Sequence, residues 1–324
     1  MKVIIPVAGV GDRLKPHTYS QPKPLLHVAG KPMLAYILDP LLKLNPDEVI
    51  FVIGFKGDQI RSYVEKNYDF KATFVEQDQL LGLGYAIKIA LDRVDSDAVL
   101  IILGDTIVEC DLDKFISSGD NVLGLREVSD PRRFGIAEMK NGCVVGMEEK
   151  PARPKGNMAL IGLYYIKESA NLRRALEKVV ESGKLTRGEI QLTDALQTMI
   201  REGTKFVSHE VQGWYDCGKK ETLLETNRHL LKGRSTPAAL EGSVLVPPVY
   251  VAPTAQIVNS VIGPNVSISD ETVIKDCIIR NSIIGYGACL ENVIIEDSLL
   301  GHLTTFAGTK KVVNIGDSSE ISSS

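Results

Sequence analysis

The chain has 324 residues, 44% of them hydrophobic and 24% charged. This globular composition excludes a disordered polymer and supplies core for one large domain or two ordinary ones. Its 37 basic and 41 acidic residues give a net charge of −4, so there is no basic excess to neutralise a phosphate backbone and no nucleic acid is expected as a partner. The longest apolar runs, such as Ala98–Leu103, fall far short of a bilayer span, and the N-terminal stretch is too brief for a signal peptide.

Residues 1–232 alternate apolar runs with amphipathic stretches. Lys2–Val7, Val49–Ile53 and Ala98–Leu103 read as buried strands rich in Val and Ile. Helical patterns separate them at Pro32–Leu42, Gly57–Lys66 and Gly84–Leu91. Strand and helix at this spacing predict an α/β fold, a mostly parallel, Rossmann-like sheet covered on both faces. Further strands are expected near Val122–Val128, Cys143–Met147 and Leu160–Ile166, and helices over Ser169–Ser182, Glu189–Arg201 and Lys219–Leu231.

Residues 233–243 are small and polar and read as a linker. Beyond them the pattern changes. Between 244 and 300, 19 of 57 residues are Val or Ile, with no helical period. Asn-Ser-Val-Ile-Gly at 259–263, Asn-Ser-Ile-Ile-Gly at 281–285 and Asp-Ser-Leu-Leu-Gly at 297–301 repeat a short unit. A hexapeptide rhythm of this kind favours a small left-handed parallel β-helix over 244–324, with uneven coils and a polar tail, over an ordinary β-sandwich with coincidental turns.

Directly after the first strand comes Ala8-Gly9-Val-Gly11-Asp-Arg13-Leu-Lys-Pro-His-Thr18. Glycines there free backbone N–H groups to face a polyphosphate, and Arg13 adds a fixed cation. Ten residues on, two prolines stiffen the backbone around Lys23, a point charge for a reacting phosphate. A dinucleotide fingerprint is excluded, because Leu14 stands where its third Gly belongs and residues 26–38 contain no acid. Lys followed by Ser or Thr is also missing, so this is not a P-loop.

Gly-x-Gly-x-Arg-Leu-x-Pro-x-Thr followed by Pro-Lys-Pro-Leu resembles the signature of the sugar-1-phosphate nucleotidylyltransferases, the nucleoside-diphosphate-sugar pyrophosphorylases. Glucose-1-phosphate thymidylyltransferases and their uridylyl relatives are the members it most resembles, and the likeness covers most of residues 1–230. Asp12 departs from the Thr common at its position. The resemblance implies that Arg13 and Lys23 are catalytic and that Ala8, Gly9, Gly11, Gln77, Gly82 and Asp105 bind the nucleotide. A Gln amide offers one donor and one acceptor side by side, a match for uracil or thymine.

The resemblance further implies Mg²⁺ on Asp105 and on Asp216, the latter within Trp214-Tyr-Asp216-Cys-Gly218. Two carboxylates with phosphate oxygens suit that ion. Gly135, Glu149, Lys150, Thr193 and Trp214 match the sugar-phosphate site, although Trp214 could equally be core.

The expected reaction joins a nucleoside triphosphate, dTTP or UTP, to a sugar-1-phosphate, glucose-1-phosphate foremost, and releases pyrophosphate. The alternatives are a catalytically inactive homologue that binds or regulates, and a bifunctional enzyme with an acyltransferase coil region. His302, the one histidine in the coils, lacks a partner set and reads as structural. The five cysteines are odd in number and without metal spacing, so no disulfide framework is expected. The sequence thus predicts a cytoplasmic enzyme without a membrane partner, forming a homo-oligomer through its β-helix.

Overall fold

The structure is a computed structural model and describes residues 1–95, 97–234, 240 and 242–309. The chain divides into two compact units. One comprises Met1–Leu26 and Lys31–Thr226; the other comprises His27–Gly30 and the described residues from Asn227 on. Of the expected linker, residues 235–239 and 241 lie outside the described residues, as does the polar tail from 310.

The first unit is built on β1 (Lys2–Pro6), β2 (Glu48–Ile53), β3 (Ala72–Glu76), β4 (Val99–Ile102), β5 (Thr106–Glu109), β6 (Asn121–Glu127), β7 (Gly135–Lys140), β8 (Cys143–Glu149), β9 (Met158–Ile166), β10 (Phe206–Glu210) and β11 (Gly213–Asp216). Nine of these strands form one sheet in the order β3-β2-β1-β4-β9-β6-β10-β8-β7, and β11 pairs with β5 outside it. The helices are α1 (Met33–Leu44), α2 (Gly57–Asn67), α3 (Leu83–Leu91), α4 (Leu112–Ser117), α5 (Ser169–Glu181), α6 (Leu192–Arg201) and α7 (Lys220–Leu231).

The central strands are apolar throughout because both faces are covered. Val3 and Ile5 face one core with Phe51, Leu38 and Ile60. Ile4 faces the other with Ile87, Leu176 and Leu196.

From β3 to β4 all pairings are parallel, as expected. Beyond β4 the sheet is mixed: β9 runs antiparallel to β4 and β6, while β6 and β10 are parallel. One cause is local. Asn141 and Gly142, both with positive φ, close a two-residue hairpin between β7 and β8, and such a turn can only join antiparallel strands.

The topology also sets the crevice. From β1 the chain passes through α1 to β2 on one flank, and it reaches β4 on the other flank only after β3 and α3. The carboxyl ends of β1 and β4 therefore diverge at a switch point, where ligands bind in open α/β sheets.

The second unit is a three-sided parallel β-helix, in keeping with the left-handed form expected. Val244, Val261, Ile278 and Ile294 stack in register on one face. Val249 and Val266, followed by Ser267, Ile283 and Leu299, stack on the second. Gln256, Val273, Cys289 and Thr305 form the third. A coil takes 16 or 17 residues by these registers. Ile262, Ile268, Ile274, Ile279, Ile284 and Leu290 fill the interior.

Corners turn at left-handed residues that also stack: Asn259, Asp276 and Asn292; Asn265, Asn281 and Asp297; Glu271, Gly287 and Leu303. Asn, Asp and Gly tolerate that conformation best. The uneven repeat now has a reason. The copy at 259–263 lies on the first face and the copies at 281–285 and 297–301 lie on the second, so the repeating unit is a face rather than a coil.

Candidate functional site

A cavity of about 560 Å³ opens at the switch point. Ala8, Gly9, Gly11, Arg13, Lys23, Gln77, Gly82 and Asp105 all line it, so the structure brings the expected catalytic and nucleotide-binding residues together. Gly11 has φ of 74°, and a Cβ there would lie 3.0 Å from Thr18 Cγ2 and 3.1 Å from Lys23 Cβ. The glycine thus lets the loop close on the 3₁₀ turn Lys23–Leu25. At Gly9 an added Cβ would meet nothing within 4 Å, so the chain there lies open.

Lys23 is buried, and its Nζ donates to Asp105 Oδ2 at 2.9 Å. The Thr106 hydroxyl donates to Asp105 Oδ1 at 3.2 Å. Partial burial pushes the Asp105 carboxyl up, but Lys23, Thr106 and the Arg13 guanidinium outweigh it and hold it below the usual carboxylate range. The pocket therefore contains an ionised acid between two cations.

Gln77 follows β3, its backbone N–H bonded to Ile53 O at 2.8 Å. Gly82 has φ of 104° where the chain at Glu189 and Ile190 crosses the start of α3.

Asp216 reaches the same place from the opposite strand. In the β5–β11 ladder it stands against Thr106, the neighbour of Asp105. A Cβ on Gly218 would lie 2.9 Å from Asp216 Oδ1 and 3.1 Å from Arg13 Nη2. The Cys217 thiol, pushed up to about 12 chiefly by burial, senses Lys23, Asp216 and Asp105 together. No group of three or more His, Cys, Asp or Glu that could hold a metal occurs among the described residues. The donor set is two carboxylates, all oxygen, and it fits a hard divalent ion that takes its other ligands from phosphate and water.

The sugar-phosphate set forms a second cluster. Gly135 stands opposite Glu149 in the β7–β8 ladder. Thr193 Oγ1 donates to Glu149 Oε2 at 2.8 Å, and Lys150 Nζ lies 3.3 Å from Oε1. Trp214 meets Phe134 edge to face at 5.0 Å, and its Nε1 is buried without a hydrogen-bond partner. None of these five expected residues lines the first cavity. Tyr164 connects the clusters electrostatically. Its hydroxyl is raised by burial, then by Glu149 and Asp105, so both carboxylates act on it. A larger cavity of about 650 Å³ under β8, α5 and α6 shares only Glu149 with the expected residues.

Several contributors were not foreseen. Thr106 was hidden because it matters only through Asp105. Glu189 lines the first cavity, and Arg187 Nη2 donates to Lys150 O at 2.7 Å. Glu189 opens the stretch expected to be helical, and Arg187 lies just before it. The helix begins instead at Leu192, because Thr186–Glu189 forms a turn bridged onto itself.

The family model for Nucleotidyl transferase matches residues 2–233, the whole span that carries both clusters. The chain belongs to this family. This nucleotidyl transferase is 32% identical over 331 residues to a glucose-1-phosphate thymidylyltransferase of Streptomyces griseus, covering 93% of this chain and 92% of that one. It is 37% identical over 245 residues to the low-salt glycan biosynthesis nucleotidyltransferase Agl11 of Haloferax volcanii, covering 72% and 67%. A UDP-glucose pyrophosphorylase solved with UDP-glucose has the same fold, with a TM-score of 0.65, 22% identity, and coverage of 72% of this chain and 99% of that one. No helix among the described residues is long and apolar enough to cross a membrane.

Proposed function

We propose that this nucleotidyl transferase joins a nucleoside triphosphate, dTTP or UTP, to a sugar-1-phosphate, glucose-1-phosphate foremost, releasing pyrophosphate. The convergence of Arg13, Lys23 and Asp105 on one cavity beside Gln77 carries this reading. The likeness to a thymidylyltransferase over 93% of the chain supports the choice of substrates.

A sugar-phosphate oxygen attacks the α-phosphorus, and pyrophosphate leaves in line. The nucleophile is already an anion and needs no general base. The obstacle is repulsion between two polyanions, so positioning and fixed charge supply the rate. Arg13 and the N–H groups of the Ala8–Gly11 loop hold the departing pyrophosphate. Lys23 and Lys150 hold the reacting phosphates. Glu149, kept in place by Thr193, accepts sugar hydroxyls beside Gly135, and Trp214 borders that pocket. The Gln77 amide pairs with the pyrimidine, and Gly82 lets the chain close beside it. Asp105 and Asp216 would hold Mg²⁺, which when bound offsets negative charge on the phosphates. The enzyme acts in the cytoplasm as a homo-oligomer assembled through its coils.

Pyrophosphate release, screened with glucose-, N-acetylglucosamine-, galactose- and mannose-1-phosphate against dTTP, UTP, CTP, GTP and ATP, tests the reading. Arg13→Ala and Lys23→Ala each lower turnover at least about a hundredfold, the scale of losing one transition-state charge partner. Near-wild-type turnover in either variant refutes the assignment.

A further inference from the structure

Gly218 differs from the other glycines that line the first cavity. At Gly104 a Cβ would lie 2.2 Å from Val7 Cγ1 and 2.9 Å from Pro6 O, so core and backbone exclude it. At Gly82 it would lie 2.7 Å from Glu189 Cβ and 2.8 Å from Ile190 O, on a backbone with positive φ. Gly11 combines positive φ with close contact to Thr18 and Lys23. Gly9 borders open space. These positions answer to chain conformation, chain crossing, or room for a ligand.

Gly218 is buried, lies outside the positive-φ residues, and is followed by Lys219, the last residue before α7. Its backbone therefore accepts an alanine. The three atoms nearest an added Cβ are Asp216 Oδ1 at 2.9 Å, Arg13 Nη2 at 3.1 Å and Arg13 Cζ at 3.4 Å. No backbone atom and no core side chain is among them. The nearest contacts of the methyl are the tips of two site side chains, one acid and one cation. Such tips can swing away at little cost to folding, but they then leave the positions from which they act.

We propose that Gly218 is a positioning residue, whose missing side chain lets the Arg13 guanidinium and the Asp216 carboxylate occupy adjoining places at the cavity wall. The inference rests on the proposed nucleotidyl transfer for its catalytic consequence, though not for its geometry. With Arg13 facing the departing pyrophosphate, a methyl at 218 shifts the guanidinium outward by a few tenths of an ångström or forces it into another rotamer. Charge stabilisation in an enclosed site falls steeply with such misplacement. Serine at 218 is excluded for the same reason, since its Cβ occupies the same point.

Gly218→Ala, Arg13→Ala and the double variant, each in the full chain, test the proposal. Thermal unfolding of Gly218→Ala stays within about 2 °C of wild type, because the atoms nearest the methyl are side-chain tips rather than backbone or core. Its kcat for pyrophosphate release falls about tenfold or more, while KM for the sugar phosphate changes less than about threefold, a displaced rather than a deleted partner. In the Arg13→Ala background the same substitution lowers kcat by a smaller factor than in the wild-type background, because one of the two groups it acts through is gone while Asp216 remains.

A full additional loss in that background, an unchanged kcat in the single variant, or a large drop in unfolding temperature overturns the proposal. A readout independent of turnover separates this inference from the function on which it rests. Calorimetric titration with inorganic pyrophosphate shows Gly218→Ala binding about tenfold more weakly than wild type, and Arg13→Ala more weakly still. If the wild-type chain transfers no nucleotide but this binding difference holds, the functional reading fails and the role of Gly218 stands. If transfer is observed and pyrophosphate binding is equal in all three proteins, the role of Gly218 fails and the functional reading stands.

Discussion

The Lys23–Asp105 pair makes an asymmetric stability prediction. The two groups meet at 2.9 Å, but the Lys23 side chain is 9% exposed and that of Asp105 is 46% exposed. Asp105→Asn leaves an ammonium almost out of water with its counter-charge gone and with Arg13 nearby. Breaking a fully buried pair this way costs about 3–5 kcal/mol, and the half-exposed acid reduces that to about 2–3. Lys23→Met leaves a carboxylate that water can reach, beside Thr106 and Arg13, so the loss is about 1 kcal/mol or less.

Asp105→Asn is therefore the more destabilising change. Urea unfolding followed by the fluorescence of Trp214, the chain's one tryptophan, measures the difference in the unit that holds the pair. The pH profile carries the same signature. The Asp105 carboxyl is held below its usual range, so its contribution is complete above the ordinary carboxylate pKa of about 4 and is lost as pH falls through the lower folded value. Asp105→Asn removes that acid limb. Equal destabilisation by both variants, or a greater loss in Lys23→Met, refutes the argument that burial of the ammonium governs the pair.

Thr193→Val deletes the hydroxyl that donates to Glu149 at 2.8 Å. It raises KM for the sugar phosphate about tenfold and leaves KM for the triphosphate unchanged, a split that steady-state kinetics resolves. In the second unit, Asn227 is fully buried; its Oδ1 accepts from Ala29 N at 2.8 Å and from Ser267 Oγ at 2.6 Å. Asn227→Ala removes both of these bonds and costs about 2 kcal/mol, measurable by chemical denaturation with a far-ultraviolet signal. His27, lowered to about 4 by burial and then by His302, resists protonation when folded. The unfolded chain takes up that proton below about pH 6.5, so stability of the second unit falls between pH 6.5 and 4, and His27→Leu flattens that slope in a pH series of melting curves.

Much of the site was legible because its residues sit in contiguous motifs. The glycine loop and Pro-Lys-Pro stand out by spacing, Gln77 with Gly82 stands out only through the family resemblance, and the switch-point topology brings them all to one cavity. What spacing cannot carry is the partner of each charge. Lys23 and Asp105 are 82 positions apart, and nothing in either segment says that one closes on the other. The Asp105–Asp216 approach is likewise a product of the β5–β11 ladder, whose two short strands have too few residues to show a period.

The start of α6 was misplaced because Glu189-Ile-Gln continues the helical pattern, while the chain there is needed against Gly82. The mixed sheet was foreshadowed by Asn141-Gly142, a hairpin signal that outweighs the prior for parallel strands. The coil region shows the opposite case, a repeat seen correctly and counted in the wrong unit until the registers separated faces from coils.

Glycine marks the limit most sharply. Gly11 supplies a left-handed turn, Gly82 lets one backbone cross another, and Gly218 leaves room for an acid and a cation to stand side by side. In a sequence these are the same letter. The demands differ only in what surrounds the absent Cβ, which is fixed by segments distant in the chain. A substitution that is ruinous to the fold at Gly82 is therefore predicted to be silent to the fold and costly to the chemistry at Gly218.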